Sequence, residues 1–176
     1  STCTAVTQAS ITVGTVPSLT VTPSNTVVCA GGSATLSASG ANSYTWAPIA
    51  SITTGSLVTL APMGTTIYTV TGAINSCTST ATATLNVIAN PTLGIAATTT
   101  LCAGNNTNLT VTGASTYSWN PSTGLSASTG SVVTASPAAT QVYTITGTLN
   151  TCTATAATTV AVIPRPVLIM GPDATI

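Results

Sequence analysis

The sequence predicts an all-β protein made of two tandem sandwich domains. Three observations carry the prediction: period-two alternation of apolar residues, turn residues at about ten-residue spacing, and an internal repeat of about 74 residues. Alternation is clearest where Ala34, Leu36 and Ala38 interleave with Thr35, Ser37 and Ser39. It returns where Ala81, Ala83, Leu85 and Val87 interleave with Thr80, Thr82, Thr84 and Asn86, and Tyr44 and Trp46 flank Thr45 in the same way. Successive strand side chains point to opposite faces, so this spacing buries one face and leaves a hydroxylated face in water. Pro23-Ser24-Asn25, Gly31-Gly32, Gly40-Ala41-Asn42, Pro62-Met63-Gly64 and Ala73 to Ser76 mark the turns. No helical period is present, and runs of Thr, Val and Ile lose side-chain freedom in a helix.

The repeat sets the domain boundaries. Cys29-Ala30-Gly31 matches Cys102-Ala103-Gly104, Tyr44-Thr45-Trp46 with Pro48 matches Tyr117-Ser118-Trp119 with Pro121, and Tyr68 to Gly72 matches Tyr143 to Gly147. Cys3, Cys77 and Cys152 are each followed fourteen residues later by a proline, namely Pro17, Pro91 and Pro166. We therefore expect residues 17–89 and 90–164 to be complete repeats. Residues 1–16 are expected to be the last strand of a preceding repeat or a donor strand, and 165–176 a linker and the first strand of a following one. Between Trp46 and Gly55 the second copy carries two extra residues, so segments 47–54 and 120–129 diverge, as a loop would.

Composition excludes most chemistry. Of 176 residues only Arg165 and Asp173 are charged, there is no His, and 42 Thr with 19 Ser supply about a third of the chain. A nucleophilic hydroxyl needs a general base, glycoside hydrolysis needs two carboxylates, and calcium sites need several acidic oxygens. Phosphate loops need a lysine and nucleic-acid binding needs a basic stripe. We therefore expect no enzyme, no cofactor, no metal and no nucleic-acid partner. Ordinary apolar content of 44% argues against disorder, and the near-zero charge favours association. The apolar run from Val160 to Met170 is broken by Pro164, Arg165 and Pro166, so membrane insertion is not expected. The stretch that starts at Ser1 has no basic n-region or apolar h-region, so any signal peptide is expected to have been removed.

The motif order Cys-Ala-Gly, Tyr-x-Trp, Ile-Tyr-Thr-Val-Thr-Gly and Ser-Cys-Thr before a Thr-rich strand resembles the Ig-like, PKD-like tandem repeats of large secreted surface proteins of Bacteroidota. That resemblance implies Ig-like β-sandwiches in tandem arrays exported to the cell surface, and no catalytic residue. The residues agree: Trp46 and Trp119 stand where strand C of such a fold places its core tryptophan, and Tyr68 and Tyr143 stand early in strand F. These four aromatics are expected in the core; the functional alternative is a carbohydrate-stacking platform.

Widely spaced cysteines without His partners point to disulfides in an oxidising compartment, not to zinc. Domains of this size have marginal cores, so a staple is expected. The simple expectation is one disulfide per repeat, Cys29 with Cys77 and Cys102 with Cys152, with Cys3 unpaired or bonded to another chain. In an Ig-like order, however, Cys29 and Cys77 fall at opposite ends of the sandwich, and the alternative is a junction staple joining Cys29 to Cys152. Asn105-Asn106-Thr107 and Asn108-Leu109-Thr110 fit the glycosylation sequon, though chance matches are expected in a Thr-rich chain. Thr78, Thr80, Thr82 and Thr84 line one strand face, which suits a wet outer sheet, O-glycans or an ice-like hydroxyl lattice.

The functional expectation is a structural, non-catalytic extracellular repeat protein of a fibre, stalk or sheath at the bacterial surface, associating head to tail with further copies or neighbouring repeats. The alternative is an adhesive module that recognises glycan or ice through loops or Thr faces. Strand-like termini such as Ile11, Val13, Val167 and Ile169 would seek partners by strand addition, or belong to a longer array. With so few titrating groups, folding stability is expected to stay nearly flat from about pH 3 to 9. Melting curves across that range check this, and a shift beyond about 10 °C would reveal an unrecognised titrating group.

Overall fold

The computed structural model describes residues 3, 7, 8, 13–48 and 54–166. The described residues are all β with no helix, and the chain divides into two compact units between Ala89 and Asn90. In the first unit the strands are β1 (Thr20–Pro23), β2 (Val27–Cys29), β3 (Ala34–Ser39), β4 (Ser43–Ala47), β5 (Leu57–Leu60), β6 (Thr66–Ile74) and β7 (Cys77–Ile88). One sheet has the order β1-β3-β5; the other has β2-β7-β6-β4, with β2 parallel to β7 and the remaining pairs antiparallel. This is an Ig-like sandwich, and β2 occupies the parallel first-strand position beside the last strand.

The second unit repeats the plan with β8 (Thr98–Cys102), β9 (Thr107–Thr110), β10 (Thr116–Asn120), β11 (Val132–Ala135), β12 (Gln141–Leu149) and β13 (Cys152–Ile163). Its larger sheet runs β10-β12-β13-β8, with β8 parallel to β13, and β9 pairs with β11. Where the first unit has β1, the second has only a bridge between Gly94 and Thr112. Nearby, the buried Thr158 hydroxyl donates to the Ala96 carbonyl at 2.7 Å, satisfying a polar pair that would otherwise be costly inside the fold.

Inward residues of each strand build two separate cores with matching members. Leu36, Val58, Val70 and Leu85 fill the first beside Trp46 and Tyr68; Leu109, Val133, Ile145 and Val160 fill the second beside Trp119 and Tyr143. Outward residues form cross-strand threonine rows, with Thr71 between Thr45 and Thr80, and Thr69 opposite Thr82. Hydroxyls on such a row stay hydrated, so the alternation read in the sequence becomes an inside and an outside.

Backbone conformation fixes two further positions. Gly113 has φ 100, and a methyl group there would collide with the Thr92 carbonyl, so only glycine fits. Asn150 and Thr151 form the two-residue turn between β12 and β13, at φ 54 and 90, which is the double positive-φ geometry that suits Asn-Gly. A β-branched residue is out of place at the second position. Gly113→Ala is therefore expected to destabilise the protein by roughly 2 kcal/mol or more, and Thr151→Gly to stabilise it by about 1 kcal/mol. Urea unfolding of the two variants measures both signs.

Candidate functional site: the two ends of each repeat

The chain enters each unit beside its last hairpin. Leu19 lies against Gly72 and Ala41 in the first unit, and Leu93 lies against Gly147 and Ala114 in the second. Cys77 opens β7 at that leading end of the first unit, and Cys152 opens β13 at that of the second. Gly14 also lies there: a methyl group on it would stand 2.7 Å from Sγ of Cys77.

The trailing end of each unit is built by the Cys-Ala-Gly motif. The Gly32 amide donates to the Cys29 carbonyl at 2.7 Å, and the Asn105 amide to the Cys102 carbonyl at 3.0 Å. Gly31 and Gly104 sit between them at φ 76 and 81, the left-handed value a type II turn demands of its third residue. The turns are tied to the end of the last strand, since Ala30 donates to the Ile88 carbonyl and Ala103 to the Ile163 carbonyl, each at 2.9 Å. Cys29 is thereby fixed opposite Ile88, and Cys102 opposite Ile163.

These registers overturn the within-repeat pairing of Cys29 with Cys77 and of Cys102 with Cys152. Cys29 and Cys152 are disulfide-bonded, whereas Cys3, Cys77 and Cys102 carry free thiols. The last strands are 12 residues long, so the two cysteines of one repeat stand roughly 36 Å apart along the strand, far beyond the 7 Å or so that a disulfide spans between Cα atoms.

The aromatic residues pack in the two cores and spend their polar atoms on nearby backbone. Trp46 and Trp119 are buried, and their indole N–H groups donate to the carbonyls of Gly55 and Gly130, each at 2.9 Å. Tyr68 and Tyr143 are buried in the two cores. Tyr143 donates to the Thr123 carbonyl at 2.8 Å, across the segment that diverges between the repeats. Tyr44 and Tyr117 each make a local bond to the backbone three residues earlier. Tyr44 donates to the Ala41 carbonyl at 2.8 Å while accepting from the Ala41 amide at 2.9 Å, and Tyr117 does the same with Ala114 at 2.8 and 2.7 Å. The matching Tyr-x-Trp spacing in both repeats is the sequence signal that could have found it.

Candidate ligand features are modest. An open cleft of about 370 Å³ lies in the second unit between Ser115, Tyr117, Thr129 and Ser131. The divergent segment beside it is rigidly tied, with Ser126 donating to the Thr134 carbonyl and Ser136 to the Gly124 carbonyl; residues 49–53 of its counterpart lie outside the described residues. Both sequon asparagines use their side chains within the fold: Asn105 accepts from Arg165 at 3.3 Å, and Asn108 from Thr134 at 3.0 Å. Arg165 also donates to the Ala103 carbonyl at 2.8 Å, so it braces the trailing turn; Asp173 lies outside the described residues. Among the described residues no cluster of three or more His, Cys, Asp or Glu could hold a metal. The expected terminal strands fall mostly outside the described residues; residues 13–16 form no strand, and Val13 is 88% exposed.

No family model matches the chain, and no curated protein matches it. Solved structures similar to it are tandem Ig-like domains. The three N-terminal domains of the bacteriophage RB49 outer capsid protein Hoc share 16% identity at TM-score 0.39, covering 83% of this chain and 59% of that one. The titin fragment I67–I69 shares 14% at 0.40, covering 86% and 67%, and the insect immune protein hemolin 13% at 0.42, covering 81% and 47%. The chain thus spans little more than half of the Hoc fragment.

Burial pushes the Tyr143 phenol up from its ordinary value of 10.0. The folded state therefore favours the neutral phenol, so this stabilisation is complete below the ordinary value and fades as the pH rises through the raised one. Tyr143→Phe is expected to cost about 1 kcal/mol near neutrality through the lost bond to Thr123, and to make stability fall less steeply above about pH 10. Urea midpoints at neutral and alkaline pH test both.

Proposed function

We propose that the chain is a stretch of a structural, non-catalytic extracellular repeat protein, a component of a fibre, stalk or sheath at the bacterial surface. The observation that carries this reading is the placement of the two bonded cysteines. Cys29 stands at the trailing end of the first repeat and Cys152 at the leading end of the second. Each is out of reach of the other cysteine of its own repeat, and bonding them to each other staples the junction. A covalent junction limits bending between neighbouring repeats, which suits a load-bearing array. In the chain-entropy picture, closing a loop of 122 intervening residues contributes about 5 kcal/mol. Such a bond also fits an oxidising, extracellular setting.

The alternative is an adhesive module that recognises glycan or ice. The cleft at Tyr117 and Ser131, beside the segment that departs from the repeat, favours it, as do the Thr45, Thr71 and Thr80 rows. Two measurements separate the readings. A non-reducing peptide map is expected to give one linked species joining Cys29 to Cys152, and electron micrographs of the purified protein are expected to show filaments. Monodisperse particles that retain a glycan array ligand would support the adhesive module instead.

A further inference from the structure

We infer that Cys102 and Cys77 are the open halves of the same staple, so that a ladder of disulfides joins each repeat to the next along an array. The inference rests on the junction reading above. Cys102 is the repeat equivalent of Cys29: both end the strand parallel to the last strand, both precede the Ala-Gly turn, and both face the final isoleucine, Ile163 or Ile88. Cys77 is the equivalent of Cys152, opening the last strand at the leading hairpin. The bonded members are the trailing cysteine of one repeat and the leading cysteine of the next. The free members are the trailing cysteine of the second repeat and the leading cysteine of the first.

A separate observation marks what meets Cys77. Gly14, whose added methyl would stand 2.7 Å from the Cys77 sulfur, is offset by 74 residues from Ile88. In the repeat plan Ile88 is the strand end that faces the trailing cysteine Cys29. The thiol of Cys77 thus already lies against the segment that corresponds to the end of a preceding repeat's last strand. A trailing cysteine placed as Cys29 is, opposite that segment, would reach it. At the other end, Cys102 is exposed beside the turn that Arg165 braces. The partner is a further repeat of this kind carrying a leading cysteine. Each bond forms as two thiols lose two protons and two electrons to glutathione disulfide, which is released as two glutathione thiols.

Residues 165–176 align with 90–101, so the full chain continued by a copy of residues 102–164 carries a third repeat. Folding this extended chain in a glutathione redox buffer, alkylating free thiols and mapping linked peptides tests the ladder. The expected result is Cys102 joined to the appended copy of Cys152, alongside Cys29 joined to Cys152, with alkylation at Cys3, Cys77 and the appended copy of Cys102. In Cys102→Ser the appended hairpin cysteine is expected to become fully alkylated while the Cys29 bond persists. Cys102 left free, or joined to any other cysteine while Cys29 and Cys152 stay paired, overturns the ladder. Loss or scrambling of the Cys29 to Cys152 bond overturns instead the junction reading on which it rests.

Discussion

The long last strand of each repeat is the constraint on which the rest depends. β7 pairs over nine positions with β6 on one side and runs parallel to β2 on the other, and β13 does the same with β12 and β8. One continuous ladder thus links the leading hairpin to the trailing turn. It fixes Cys77 at one end and holds Cys29 at the other, so cysteines of one repeat cannot meet. The same ladder leaves each repeat with a sulfur at each end.

Stability is reached almost without charge. Each small core is sealed by residues whose polar atoms find backbone partners: indole to glycine carbonyl, tyrosine to the backbone three residues earlier, and Thr158 to Ala96. Among the described residues no buried side-chain nitrogen or oxygen lacks a hydrogen bond. Neutral bonds of this kind are insensitive to salt and to moderate pH. Threonine serves both sides of the design, since its branched carbon favours extended backbone and its hydroxyl keeps the outer face hydrated.

Much of this was legible in the residues. Alternation around Leu36 and Leu85 marked the strands, the repeated Tyr-x-Trp marked strand C, and the Cys-Ala-Gly turn was visible as punctuation. What sequence reasoning missed was metric. The within-repeat pairing followed from counting cysteines per repeat; the Ig-like order had already set Cys29 and Cys77 at opposite ends and offered Cys152 as the alternative mate, and the twelve-residue length of β7 gives that separation its size. The local tyrosine bond was not read from the residues: Tyr44 and Tyr117 make it in the strand that also carries the tryptophan, where the hydroxyl reaches back over the glycine turn at Gly40 or Gly113. The loss of the first strand in the second unit had a signal that was not used: Gly94 and Ala96 stand, by the 74-residue offset, where β1 has Thr20 and Thr22, and neither favours a strand as threonine does.

Pulling on the two termini of single molecules tests the central claim most directly. With Cys29 bonded to Cys152, the 122 intervening residues are shielded from force, so the oxidised chain should extend only by its outer segments, and both repeats should become extensible on reduction. Two unfolding steps in the oxidised chain, each of a full repeat or of a repeat shortened by about fifty residues, would contradict a staple across the junction.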